Sequence, residues 1–271
     1  MEASRTFSCG YIYTNLLGNE AGRAIYDGDA LIAQQGQLLV TSHRFSYEDA
    51  FIVSAALDLS KSRLHQQQHP TVLPKDTAWL VVSSMAMPQA QPVRPQVAEL
   101  EAFEEGGFVK EEEFARAVSL GLFDYLRKSR AHGFTISLSG GADSAACAAL
   151  CALMIRLAEE SIGILAFKEK LNYIPGLQEA ERVDQITHLL VRTLYQATEN
   201  SSEQTSFAAR SLAESVGATF YEININALVT HYTELIEMQL GRKLTWETDD
   251  IALQNIQARV RAPGVWLLTN V

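Results

Sequence analysis

Basic side chains are scarce in this sequence: 22 Lys and Arg stand against 32 Asp and Glu, for a net charge of −10. Nucleic-acid binding needs clustered Lys and Arg to neutralise phosphates, so that class of partner is argued against. Cysteine is scarcer still. Cys9, Cys147 and Cys151 are too few and too badly placed for a disulfide framework, which makes a reducing cytoplasm the default expectation. No apolar run approaches the ~20 residues needed to span a bilayer, and no charged-then-apolar leader opens the chain, so no membrane partner is expected. Two common nucleotide loops are also missing. Without GxxxxGK[ST] no lysine reaches β- and γ-phosphates, and without GxGxxG a dinucleotide fingerprint is unsupported.

What is present has the make-up of a soluble globular protein, 47% hydrophobic and 20% charged. Its 271 residues allow one large domain or two modest ones. The organising stretch is Ser139-Gly140-Gly141-Ala142-Asp143-Ser144. It follows the β-type run Gly133–Leu138 and opens an alanine-rich run from Ala145 to Leu157, long enough for three to four helical turns. Strand, glycine-rich turn and helix build an anion site. Two glycines let the backbone approach an oxyanion, and the first free N–H groups of the helix point at it. Ser139 and Ser144 add hydroxyls, and the Asp143 carboxylate suits Mg²⁺ held beside phosphates. An ordinary strand-to-helix turn is the bland alternative. Six residues of matching type between the right elements argue against it.

Other candidates read as structural. Cys147 and Cys151 share a helix face and are expected to be two small core residues. His65 and His69 have the same spacing among polar residues and a proline, and read as solvated linker.

In chain order, residues 1–64 are strand-rich. Gly10–Asn15 is one strand; Asn19–Arg23 and Tyr26–Asp29 are turns. Ala30–Ala33 and Gln37–Val40 form a hairpin around Gly36, and Phe51–Leu57 is another strand. Cys9 reads as a buried strand residue. Residues 65–107 carry five of the seven prolines, Pro70, Pro74, Pro88, Pro92 and Pro95, and read as a connector with one short strand over Trp79–Val82. The acidic run 99–105 that ends it is an ordinary solvated surface. A helix begins near Val109, with Phe114, Val118, Leu122 and Leu126 on one stripe and Glu111–Glu113 in its first turn. Beyond the loop, a polar stretch around Pro175-Gly176 looks like an insertion, and His188–Tyr195 is the next strand. A hydroxyl-rich turn, Thr198–Glu203, leads to helix Thr205–Val216. Strand Thr219–Asn224 and helices Ala227–Leu240 and Asp250–Leu268 follow. Alternating β and α elements predict a parallel sheet with helices on both faces. The Ser139–Ser144 and Thr198–Glu203 turns then fall together at the carboxyl ends of strands.

SGGADS resembles the SGGxDS pyrophosphate loop of ATP pyrophosphatases, a superfamily that includes NAD synthetase, GMP synthetase, asparagine synthetase and tRNA-thiolating enzymes. Two further landmarks single out one branch. Tyr13 to Arg23 (Tyr-x-Asn-x-x-Gly-Asn-Glu-x-Gly-Arg), Tyr26-Asp27-Gly28, Leu31-Ile32-Ala33 and Arg44–Asp49 resemble the closing third of the nitrilase-like glutaminase domain of glutamine-dependent NAD⁺ synthetases. Asn255-Ile256-Gln257-Ala258-Arg259-Val260-Arg261 looks like the deamido-NAD-contacting helix of that family, with Asn255 and Arg259 four apart on one face.

The resemblance implies an α/β chain: a partial nitrilase-like α/β sandwich, then a doubly wound parallel-sheet domain of the adenine-nucleotide α-hydrolase-like (ATP pyrophosphatase) kind. The corresponding segments are 1–64 (glutaminase part), 65–107 (connector) and 108–271 (synthetase part). It implies ATP binding by Ser137, Leu138, Ser139, Gly140, Gly141, Ala142, Asp143 and Ser144, Mg²⁺ on Asp143, and deamido-NAD⁺ on Asn255 and Arg259. The family adenylates the nicotinate carboxylate and then aminates it with ammonia from glutamine, and its members are expected to be homo-oligomers. Its glutaminase Cys, Glu and Lys lie upstream of these landmarks, so no catalytic residue is assigned here. The family's Ser-Asn-x-Ser-Glu turn lies downstream. The expectation is therefore an internal fragment with little synthetase activity alone. A non-catalytic ATP-binding remnant and another SGGxDS amidotransferase are the alternatives. Two departures stand out: Ser137 replaces the usual glycine, and Glu199 stands where relatives place a basic residue near ATP.

Overall fold

Hairpin chemistry builds the first part of the chain. The computed structural model describes residues 1–20, 23–68 and 100–271. The expected strand over Trp79–Val82, the side chains of the His65/His69 pair and the five connector prolines lie outside the described residues. The chain divides into two compact units, Met1–Gly18 with Tyr26–Glu112, and Asn19–Ile25 with Glu113–Val271.

After a short helix α1 (Glu2–Thr6), strands β1 (Gly10–Thr14), β4 (Ala30–Gln34) and β5 (Gln37–Thr41) form an antiparallel sheet in the order β1-β4-β5. Between β4 and β5 the turn residues Gln35 and Gly36 have φ of 52° and 80°. Positive φ at both central positions is what a tight type I′ hairpin demands, and glycine supplies it without steric cost. The regions expected to be turns contain a second, two-stranded pairing, β2 (Leu17–Glu20) with β3 (Ala24–Asp27). The expected strand Phe51–Leu57 does not form: the segment alternates in exposure, Ile52 being 96% exposed, but pairs in no ladder among the described residues. Alternation reports a half-covered face; a strand also needs a partner's peptide groups. Helix α2 (Leu59–Gln68) is tied back by the buried Gln34, whose Nε2 donates to the Asp58 carbonyl and Ser62 Oγ. Cys9 is half-buried and precedes β1 instead of lying within it.

The second unit is a three-stranded parallel sheet wrapped by helices. Its elements run α3 (Val109–Ser129), β6 (Phe134–Ser137), α4 (Ala142–Lys170), α5 (Val183–Leu190), β7 (Val191–Ala197), α6 (Glu203–Val216), β8 (Thr219–Asn224), α7 (Asn226–Leu240), α8 (Asp250–Arg259) and α9 (Arg261–Thr269). The sheet order is β6-β7-β8, with Ser137 opposite Leu194 and Leu194 opposite Tyr221. Leu138, Tyr195 and Phe220 face Ala148 of α4 and Ala209 and Ala213 of α6, where small residues let both helices sit close to the strands. Gln196 and Ile223 project from the opposite face, towards Gly264 of α9.

Several elements differ from expectation for local reasons. The helix after the loop runs to Lys170, interrupted at Gly163, whose φ of 77° is not helical. On α3 the buried line is Leu120, Phe123 and Leu126, while Phe114 is 63% exposed. His188–Leu190 close α5; Gln185 Oε1 accepts from the Arg182 N–H and finishes that helix's start, a side-chain signal an apolar run conceals. The stretch around Pro175-Gly176 is no polar insertion, because Leu171, Ile174 and Leu177 are buried. Asp250–Leu268 is two helices that meet at Val260. Lastly, Asp124 on α3 accepts from the Asn19 N–H at 2.8 Å, from Arg127 and from Lys128. Burial opposes its ionisation, yet these donors outweigh burial and hold its pKa below the ordinary value.

Candidate functional site

β6 ends at Ser137, and Leu138 N–H extends its pairing by donating to Leu194 O at 2.9 Å. The backbone then turns through Gly140, with φ +82°. A Cβ at Gly140 would lie 2.5 Å from the Thr205 carbonyl oxygen and 3.0 Å from Thr205 Cα, so only glycine fits against the first turn of α6. Gly141 is extended and serves as the N-cap of α4 without a side-chain cap. The N–H groups of Ala142, Asp143 and Ser144 therefore begin the helix with no acceptor inside it. The positive end of the α4 dipole is open at the same point.

The two serines are hydrogen-bonded to each other and to the loop's own backbone. Ser144 Oγ donates to Gly141 O at 3.1 Å and accepts from Ser139 N–H at 3.2 Å. Ser139 Oγ stands 3.1 Å from Ser144 Oγ and accepts from Gly141 N–H. The hydroxyls brace the loop from within, and the helix amides stay available for an anion. Asp143 is exposed in the first turn of α4. No group of three or more metal-ligating side chains exists among the described residues. A single carboxylate fits a Mg²⁺ that arrives with phosphates and keeps most of its water, not one caged by protein.

The neighbouring turn closes the site on its second side. Ser202 caps α6 by accepting from Thr205 N–H at 3.2 Å, and Ser201 Oγ accepts from Thr198 N–H at 2.9 Å. Tyr195 OH meets Thr205 Oγ1 at 2.8 Å, joining the strand to that helix start. Glu199 makes no ion pair among the described residues; its N–H donates to Asn226 Oδ1.

Between the two turns lies a cavity of about 240 Å³ lined by Ser137, Leu138, Ser139, Tyr195, Gln196, Ser201 and Arg261. A larger cleft of about 400 Å³ sits at the opposite ends of the strands, beside Gly133, Leu190 and Arg192. Parallel sheets bind ligands at the carboxyl ends of their strands, so the smaller cavity is the functional candidate.

The sequence candidates thus separate. Ser137, Leu138 and Ser139 line the cavity, and Gly140 to Ser144 form the turn at its edge. Asn255 and Arg259 are exposed on α8 and do not line it; Asn255 Nδ2 donates to Ile251 O of its own helix. Arg261 and Gln196 do line it. The break at Val260 starts a new helix at Arg261, which stands at the cavity while Arg259 remains exposed on α8. The Cys147/Cys151 pair offers no metal site: burial pushes the Cys151 thiol up to about 12, and Cys147, expected in the core, is exposed.

Comparison with known proteins gives a consistent result. The NAD synthase family profile matches residues 114–270. The glutamine-dependent NAD(+) synthetase of Oryza sativa subsp. indica is 32% identical, aligned with 98% of this chain and 38% of the relative. That of Saccharomyces cerevisiae is 28% identical, over 94% of this chain and 38% of the relative. The crystal structure of a glutamine-dependent NAD(+) synthetase from Cytophaga hutchinsonii superposes with a TM-score of 0.76 at 41% identity, covering 99% of this chain and 40% of that one. The chain spans under two-fifths of the length of the curated relatives it matches.

Proposed function

The chain belongs to the NAD synthase family, and from that premise we propose that it carries the ATP-pyrophosphatase part of a glutamine-dependent NAD⁺ synthetase. The reaction is ATP-dependent amidation of deamido-NAD⁺. Nicotinate is a carboxylate and a poor electrophile. Its oxygen attacks the α-phosphorus of ATP, pyrophosphate leaves, and the acyl adenylate then loses AMP to ammonia as the amide forms. The observation that carries this reading is the uncapped start of α4 beside Gly140 and Gly141, at the edge of the cavity.

Each group has work suited to its place. The amides of Ala142, Asp143 and Ser144 face the charge that grows on the departing pyrophosphate, fixed in advance by the helix and by the Ser139–Ser144 brace. Gly140 holds the turn against α6. Asp143 is the residue that would hold Mg²⁺, which neutralises phosphate charge when bound. Arg261 brings a permanent cation to the cavity for a phosphate or carboxylate of the substrates.

The remaining assignments rest on the same family resemblance. We read residues 1–64 as part of a nitrilase-like glutaminase domain, 65–107 as the connector and 108–271 as the synthetase segment, with glutamine as the ammonia source and the cytoplasm as the compartment. Among the described residues no helix is long and apolar enough to cross a membrane. A homo-oligomer is supported by α7, where Leu228, Tyr232, Leu235 and Ile236 form an exposed apolar stripe.

Titration of the chain with MgATP tests the reading. Saturable one-site binding, competed by pyrophosphate, is expected. Absence of binding overturns it.

A further inference from the structure

Gln196 is a polar side chain in a position suited to an apolar one. It lies in the middle strand of the sheet and is 4% exposed. Its Nε2–H donates to the Arg261 carbonyl at 3.0 Å, while Oε1 is enclosed and accepts no hydrogen bond among the described residues. Gly264 makes that packing feasible, since a Cβ there would stand 2.7 Å from Oε1. An enclosed acceptor with no donor is unfavourable, and methionine would fill a similar volume without one. Stability therefore does not explain the amide.

What the amide secures is the junction of α8 and α9. Val260 alone separates the two helices, and the next residue, Arg261, lines the cavity. The Arg261 guanidinium spends one N–H on Gln257 O at 2.6 Å and pairs with no acid among the described residues. Its other N–H groups are available to an anion. Resting on the reading of this cavity as the nucleotide site, we infer that Gln196 is a positioning residue. By holding the Arg261 carbonyl it sets that residue at the cavity, where its guanidinium takes an anionic group of the bound nucleotide.

A double-mutant cycle tests this, with MgATP and deamido-NAD⁺ titrated separately and melting followed in parallel. Gln196→Met is expected to melt at or above the wild-type temperature and to weaken at least one ligand about fivefold, the size of one modest hydrogen bond. Gln196→Leu removes donor and acceptor together without adding a charge, and is expected to show the same loss. In an Arg261→Ala background neither substitution weakens binding further, because the effect runs through Arg261. Unchanged binding of both ligands in both variants overturns the inference, as does a loss that persists in full without Arg261. Failure of the wild-type chain to bind either ligand overturns the nucleotide reading itself, and the role of Gln196 with it.

Discussion

Two helices start at neighbouring strand ends of the same sheet, α4 after β6 and α6 after β7, and their first turns are finished in opposite ways. At α6 the Ser202 hydroxyl accepts from Thr205 N–H, the usual protein answer to an orphan helix amide. At α4 the N-cap is Gly141 and no side chain caps the helix. Hydroxyls are close by, but Ser139 and Ser144 are committed to each other and to the loop's own peptide groups. The difference separates a helix start whose amides are satisfied by the fold from one whose amides are left open. Both lie at the carboxyl ends of parallel strands, so location alone does not distinguish them; the accounting of donors does.

Four substitutions break or sharpen that contrast. Gly140→Ala has the largest expected effect, because it demands positive φ of an L-residue and drives a Cβ into the Thr205 backbone. ATP affinity measured by calorimetry should fall at least about a hundredfold, and stability by about 2 kcal/mol or more in thermal melts. Ser144→Ala removes the brace but leaves the helix amides, so an affinity loss of about tenfold is expected with little change in melting. Asp143→Asn should weaken MgATP about fivefold, with metal-free ATP unaffected or slightly tighter, as titrations with and without Mg²⁺ would show. Ser202→Ala belongs to the other helix start. It should lower stability by about 1 kcal/mol and move ATP affinity less than about twofold.

Local chemistry made much of this legible in the sequence. Glycine at Gly36 and Gly140 marks places where the backbone must turn with positive φ, and Thr219 to Asn224, with its aromatic and branched residues, reads directly as a strand. The loop itself was readable because strand, turn and helix follow one another without a gap. What escaped depends on distant partners. Residues 51–57 have the alternation of a strand but no ladder. His188–Leu190 open the apolar run His188–Tyr195 but end helix α5, and apolar runs alone do not separate helix from strand. Arg261 was visible in the Asn255–Arg261 motif, yet its place at the cavity depends on the break at Val260. That junction is held by a hydrogen bond from Gln196, 65 residues earlier in the chain. Nothing in a single sequence announces such a contact.

The open start of α4 predicts where a phosphate chain settles. Backbone amide shifts of the isotope-labelled chain, followed by NMR during titration with MgATP and then pyrophosphate, would locate it. The expected result is a saturable change concentrated at Gly140 to Ala145, with Glu203 to Ser206 nearly still, since their helix start is already capped. Changes centred on Glu203 to Ser206, or at the opposite end of the sheet around Gly133 and Arg192, or none at all, would contradict it.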